Sequence, residues 1–180
     1  MSPFDAVFID RDGTIGGTGH FIHPKDFQLY PFSREAFQLL KSHNIKMFAC
    51  TNQWRISLGQ ATMDDFYNEF KTYGFDDAFI CPHGPDDGCD CRKPKPGLLI
   101  EAAKKYHLDL KRTAFIGDVG GTDMLAADAV GAKKILVLTG WGKTSCHEYR
   151  DTWADVEPDY IAENLLEAVK WIIKNNGNKR

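Results

Sequence analysis

The chain has 180 residues, with 22 Lys and Arg against 25 Asp and Glu, a net charge of -3, 43% hydrophobic residues and 26% charged residues. That length suits one ordinary domain of roughly 100–200 residues, and the composition excludes disordered and collagen-like chains. Apolar runs such as residues 6–9 and 135–138 fall far short of the ~20 residues that span a bilayer, and the slightly acidic balance lacks the basic footprint of a nucleic-acid binder. Asp5, Asp10 and Arg11 stand where a secretory leader needs a basic start and an unbroken apolar stretch. A cytoplasmic location with neither membrane nor nucleic acid as partner is therefore expected.

Residues 6–9 are apolar on both faces, as buried parallel strands are. After a Gly-rich stretch reaching Phe32, Ser33 stands where a helix cap is expected. Ala36, Phe37 and Leu40 then recur at helical spacing, and Asn44 suits the helix exit. Residues 45–50 follow as a second strand. Thr62, with Asp65 three residues on, resembles a capping box opening a helix that carries Phe66, Phe70 and Tyr73 and ends at Gly74. Residues 77–81 read as a third strand, 98–106 as a helix and 113–117 as a fourth strand. A helix over 124–130 stopped by Gly131, a strand over 135–138 and an amphipathic helix over 165–174 before a polar tail complete the pattern, with 139–158 unassigned. This alternation predicts an α/β fold, a Rossmann-like (doubly wound) parallel sheet flanked by helices, as one domain over residues 1–180. In such a sheet the ligand lies beyond the carboxyl ends of the strands.

The first strand runs into Asp10-Arg11-Asp12-Gly13-Thr14, the second into Thr51-Asn52-Gln53 and the fourth into Gly117-Asp118, with Asp123 shortly after. Asp10 and Asp12 are two apart, so in an extended chain their side chains would point the same way. Like charges held together need a cation, and oxygen-only ligands select a hard octahedral one, which in a cell means Mg²⁺. A single aspartate after a strand is ordinarily a cap or a solvated turn. The joint pattern of Asp10, Asp12, Thr51, Lys93 and Asp118 supplies nucleophile, acid, hydroxyl donor, cation and metal ligand, and points to catalysis. Asp123 suits either a metal-bound water or the cap of the following helix.

Cys81, His83, Cys89 and Cys91 give Cys-X-His, a short loop and Cys-X-Cys. Four soft or borderline ligands in one loop match a closed tetrahedral Zn²⁺ site of Cys₃His type, against the blander reading of a redox pair or chance clustering. With no open position such a metal is structural. Its loop, residues 81–91, runs straight into Arg92-Lys93. Cys50, in an apolar strand, reads as a buried hydrophobe, and Cys146 takes no role.

These motifs resemble the haloacid dehalogenase superfamily phosphatases: Asp10-Arg11-Asp12-Gly13-Thr14 is similar to their first motif, and Thr51, Lys93 and Gly117-Asp118 fall where the others belong. The segment from Cys89 to Gly97 and Thr51-Asn52-Gln53 are similar to the branch of heptose bisphosphate and histidinol-phosphate phosphatases. The resemblance covers most of the chain, in the right order. It implies a Mg²⁺-dependent phosphatase acting on a small phosphorylated metabolite, a sugar phosphate, through an aspartyl phosphate on Asp10. Asp12 would serve as acid and then base, with Thr51 and Lys93 on the phosphoryl oxygens and Asn52 and Arg92 at the substrate. Mg²⁺ would be held by Asp10, the backbone carbonyl of Asp12 and Asp118, with Asp123 acting through a water. The family spacing assigns the motif lysine to Lys93 and leaves Lys95 a surface charge.

No insertion long enough for a cap domain separates the first two motifs, so an open site is expected. Residues 15–32 would form a mobile flap, in which His20 and His23 are candidate contacts although loop histidines are usually solvated. Two departures from the branch pattern stand out: Trp54-Arg55 where a small residue or Pro and then Gly is usual, and Val119-Gly120-Gly121 where many relatives carry Lys or Arg. A histidinol-phosphate or nucleotide phosphatase on the same scaffold is the alternative within enzymes. A zinc-stapled binding module without turnover is the alternative outside them, and retention of both Asp10 and Asp12 argues against it. Monomer and dimer both stay open.

Overall fold

The computed structural model describes residues 4–176. Its strands are β1 (Ala6–Ile9), β2 (Lys46–Asn52), β3 (Asp77–Cys81), β4 (Thr113–Gly117), β5 (Lys133–Val137) and β6 (Tyr160–Ala162). They form one parallel sheet in the order β3-β2-β1-β4-β5-β6. Parallel neighbours require crossovers, and the connecting helices are α1 (Ser33–Ser42), α2 (Met63–Tyr73), α3 (Gly97–Tyr106) and α4 (Leu125–Val130), with a short α5 (Gly142–Cys146) and a closing α6 (Leu165–Asn176). The chain builds outward from β1 in one direction through β3, then returns to β1's other side at β4. That reversal leaves a crevice at the carboxyl ends of β1 and β4, the topological switch point where ligands bind in such sheets.

Alternation within β1 sorts the core into two layers. Val7 and Ile9 pack with Ala36, Phe37 and Leu40 of α1, Phe66 and Phe70 of α2, and Ala168 and Val169 of α6. Ala6 and Phe8 face the other side, toward Leu98 and Ala102 of α3, Ala127 of α4 and Trp153. Phe8 is fully buried between Phe48 and Phe115, with ring centroids 5.7 and 6.4 Å away. Among the described residues no helix is long and apolar enough to cross a membrane.

The capping box forms as expected: the Asp65 backbone N–H donates to the Thr62 hydroxyl, the Thr62 N–H donates to the Asp65 carboxylate, and Gly74 closes α2 with a left-handed φ of 89°. Ser33 differs. Phe32 is already helical, so Ser33 lies inside the first turn, fully buried, with its hydroxyl donating to the Ile15 carbonyl at 2.8 Å. Strand β2 runs two residues past Cys50 because Thr51 and Asn52 pair with Ile80 and Cys81. The helix expected over 124–130 is preceded by a π-helical turn, Gly120–Met124, and the unassigned stretch contains α5 and a 3₁₀ turn at Arg150–Trp153. Edge strand β6 was not expected. The last residues of the polar tail, 177–180, lie outside the described residues.

Candidate active site

Four segments deliver polar side chains to the switch point. Asp10 and Asp12 follow β1, Thr51 is the second-last residue of β2 with Gln53 just beyond the strand, Asp118 follows β4, and Asp123 sits in the π turn. Lys93 enters from the loop before α3 and is 3% exposed. Its ammonium donates to Asp10 at 3.1 Å, to Asp123 at 2.6 Å and to the Cys50 carbonyl at 2.9 Å. Burial pulls the Lys93 pKa down, but Asp10 and Asp123 outweigh it and hold the group above the usual lysine range.

Asp10, Asp118 and Asp123 each bring a carboxylate oxygen within 4.8 Å of the others. Burial, with Asp10 and Asp123 beside it, pushes Asp118 well above the usual carboxylate range. Burial and the Asp10 charge likewise push Asp123 up to about 7, with Lys93 opposing. Three carboxylates around one ammonium leave a buried negative excess, and the donors are all oxygens. This set fits a hard divalent cation such as Mg²⁺. Asp123 does not cap the following helix, because its carboxylate accepts from Lys93 and from the Val119 N–H at 3.2 Å. Gly13 makes the approach possible: its φ is 82°, and a Cβ there would overlap the Asp118 carboxylate.

Asp12 lies at the lip of the site with its side chain 16% exposed. Arg11 donates to its Oδ1 at 2.7 Å and Gln53 to its Oδ2 at 2.7 Å. Burial pushes its pKa up to about 6, against the pull of the Arg11 guanidinium, which suits a group that exchanges protons near neutrality. Gln53 also donates to the Thr51 hydroxyl at 3.0 Å. The Asn52 amide is occupied by the main chain of Lys93, accepting from its N–H at 3.0 Å and donating to its carbonyl at 3.1 Å. This clamp holds the lysine's backbone against β2.

Asp10, Asp12, Thr51, Asn52, Gln53 and Lys93 floor a cavity of about 260 Å³ whose walls include Phe21, Trp54, Arg55, Arg92 and Trp141, with Asp118 and Asp123 fully buried outside its lining. A neighbouring cavity of about 440 Å³ shares Val119, Thr122 and Trp141 with it. The segment over 15–32 is pinned at its base: Ile15 is fully buried, the Gly17 N–H donates to the Gln28 carbonyl and the Tyr30 N–H to that of Ile15. His20 packs edge-on to Trp141, and His23 faces Asp65 at 3.3 Å. Neither histidine lines the catalytic cavity. Lys95 is exposed and donates to the Cys89 carbonyl.

The sulfur cluster stands apart. Cys81 ends β3, and His83, Cys89 and Cys91 return to it, with all four ligand atoms within 4.8 Å of one another. The Cys81 and Cys89 sulfurs are 3.7 Å apart, near the roughly 3.8 Å edge of a tetrahedron with Zn–S bonds of about 2.3 Å, while the Cys91 and Cys81 sulfurs stand closer, at 3.0 Å. The donor set fits Zn²⁺. Arg92 ties the loop by donating to the His83 carbonyl at 3.2 Å. Cys50 is fully buried, and burial pushes its thiol up to about 12.

Sequence reasoning missed Arg11, Glu69, Gln53 and Trp141. Arg11 and Glu69 carried a readable signal: a guanidinium between two aspartates, and a carboxylate on the apolar stripe of α2 between Phe66, Phe70 and Tyr73. Trp141 carried none, since it lies in the unassigned stretch.

A parallel sheet with paired aspartates at the end of its central strand, a buried lysine and a cation-ready carboxylate cluster defines a phosphoryl-transfer hydrolase. The HAD-hydrolase-like family model matches residues 90–168. A D-glycero-beta-D-manno-heptose-1,7-bisphosphate 7-phosphatase of Helicobacter pylori is 35% identical over 181 residues, covering 93% of this chain and 96% of that one. The Pasteurella multocida protein of the same name is 35% identical over 184 residues, with 93% and 96% covered. A crystal structure of the B. bronchiseptica D,D-heptose 1,7-bisphosphate phosphatase with magnesium and phosphate superposes with a TM-score of 0.79 at 29% identity, covering 95% of this chain and 99% of that one. The chain belongs to the haloacid dehalogenase-like hydrolases, in the phosphatase branch that contains the heptose bisphosphate phosphatases.

Proposed function

We propose that this chain hydrolyses a phosphate monoester of a small sugar, with Mg²⁺ at Asp10, Asp118 and Asp123 and structural Zn²⁺ at Cys81, His83, Cys89 and Cys91. The observation that carries the reading is the meeting of Asp10 with the buried Asp118, Asp123 and Lys93 beneath a cavity that Asp10, Asp12 and Lys93 line. Asp10 attacks phosphorus, forming a P–O bond to its carboxylate as the bond to the sugar oxygen breaks. Asp12 gives its proton to that leaving oxygen. Water then attacks the aspartyl phosphate, its proton passes to Asp12, and the Asp10 carboxylate and phosphate are released. The Lys93 ammonium, held beside Asp10, would supply positive charge to the phosphoryl oxygens, and the Thr51 hydroxyl would donate a hydrogen bond to them. The divalent ion, when bound, supplies positive charge to the same oxygens.

Zinc would set where Lys93 stands, because Cys91 is two residues before it and Asn52 clamps the main chain of the lysine itself. Among the described residues neither Arg55 nor Arg92 has a carboxylate partner, and Arg55 Nε is buried without a hydrogen bond. Both line the cavity. They would receive a second anionic group on the substrate, in keeping with relatives whose names specify a heptose bisphosphate.

The test is phosphate release from a panel of sugar monophosphates and bisphosphates, with and without Mg²⁺. Mg²⁺-dependent release that favours sugar bisphosphates is expected. No release from any sugar ester, with magnesium and zinc both present, would contradict the proposal and favour a binding module.

A further inference from the structure

Arg11 separates the two aspartates in sequence, yet its side chain turns away from the cavity and is fully buried. Its Nε donates to Glu69 Oε1 at 2.6 Å and its Nη2 to Glu69 Oε2 at 3.0 Å, a two-pronged pair with α2. Nη2 also donates to the Ile22 carbonyl at 2.9 Å, and Nη1 donates to Asp12 Oδ1 at 2.7 Å. The guanidinium carbon lies 3.8 Å from the centre of the Phe27 ring. Glu69 is itself 8% exposed and accepts from the Tyr73 hydroxyl at 3.2 Å.

We propose that Glu69 is a positioning residue for the leaving-group step, acting on Asp12 through Arg11. A planar fork gripped on two nitrogens by one carboxylate can present its third nitrogen in only one direction. Here that nitrogen fixes Asp12 Oδ1, while Gln53 fixes Oδ2 from β2. Without the Glu69 charge, Asp12 becomes the remaining carboxylate partner of a buried guanidinium. Arg11 then swings to grip it with two nitrogens and draws it from the leaving oxygen. A carboxylate on the apolar stripe of α2, more than fifty residues from the catalytic loop in sequence, thus sets the aim of the acid. The inference rests on the proton-donating role given to Asp12 above.

The experiment uses the full chain loaded with Mg²⁺ and Zn²⁺ and two aryl esters of nearly equal shape, phenyl phosphate and p-nitrophenyl phosphate. The first needs leaving-group protonation and the second needs little. Glu69→Gln should lower kcat/KM for phenyl phosphate by ~10-fold or more beyond its loss for p-nitrophenyl phosphate, with KM within about twofold for both. In an Asp12→Ala background the same change should add no further leaving-group dependence, because the two act as one unit. Loss of the charge opposite a buried guanidinium can unfold a chain, so Glu69→Asp, which keeps the charge and shortens the reach, is the second variant. It should show the same bias at smaller size. Equal losses on both esters, or none, in a folded variant would overturn the proposal while leaving Asp12 its role. Absence of leaving-group bias in Asp12→Ala alone would overturn the role of Asp12, and this inference with it.

Discussion

The two candidate metal sites are assembled in opposite ways. Asp10, Asp118 and Asp123 come from loops after β1 and β4 and are drawn together by the sheet; they are almost wholly buried, and that burial, with the neighbouring carboxylate charge second to it, raises the pKa values of Asp118 and Asp123. Cys81, His83, Cys89 and Cys91 lie within eleven consecutive residues; Cys81 is buried in the core at the end of β3, and the other three are partly exposed on the loop that follows. In the first site the fold imposes the geometry and a bound cation would relieve the charge. In the second, a bound ion would impose the geometry of the loop. Removing a ligand should therefore cost chemistry in one place and local order in the other.

Asp10→Asn should give the largest effect, a loss of turnover of at least ~10³-fold, since members of a catalytic unit lose most of their effect together. Stability should hold or rise, because one of three mutually repelling charges is gone. Steady-state kinetics and a thermal melt on the same preparation check both halves. Next comes Cys89→Ser, which should reduce bound zinc well below one per chain by elemental analysis and lower turnover by up to ~10²-fold through misplacement of Lys93. Zinc contributes ~10–16 kcal/mol in isolated finger peptides, but here the six-stranded sheet has its own core, so added Mg²⁺ should not restore the loss and the sheet should stay folded.

A smaller effect separates the sites by pH. Asp118 and Asp123 have folded pKa values above the unfolded value, so their contribution to the metal-free protein is fully present below the unfolded carboxylate pKa. It is lost as pH rises through about 7 for Asp123. Mg²⁺ at ~100 times its dissociation constant should thus raise the melting temperature on the order of 5–10 °C at alkaline pH. Its effect should shrink as protons compete below about 7. A rise that is independent of pH would contradict the carboxylate site. The smallest signal is a contrast in thiol reactivity once zinc is removed. Burial pushes Cys89 up, but the Arg92 and Cys91 backbone N–H groups and the Cys81 thiol outweigh this and bring it down to about 6. Cys50 is held up to about 12. Iodoacetamide near neutrality should label Cys89 and spare Cys50, as read by peptide mass mapping.

The same contrast explains what could be read from the chain alone. Strands buried on both faces announce themselves as apolar runs, and left-handed stops at Gly74 and Gly131 need glycine, so the order of elements was legible. The cluster of Cys81, His83, Cys89 and Cys91 was legible because its spacing is local. The carboxylates were legible because each follows a strand. What was hidden depends on side chains meeting across the fold. Ser33 has a cap's chemistry, but the buried carbonyl of Ile15 claims its hydroxyl. Asn52 looks available to substrate, yet the Lys93 main chain engages both ends of its amide. Strand β6 is three residues long and draws its stability from β5, to which no local pattern points.

The central claim is that Asp10 becomes phosphorylated, and Asp12→Ala gives direct access to it. With p-nitrophenyl phosphate the first displacement needs little help from an acid, while release of the phosphoryl group loses its base, so the intermediate should accumulate. Acid quenching followed by peptide mass mapping should place a phosphoryl group on the peptide containing Asp10, and in no other peptide. Turnover without any phosphorylated peptide, or phosphorylation at a different residue, would contradict the account.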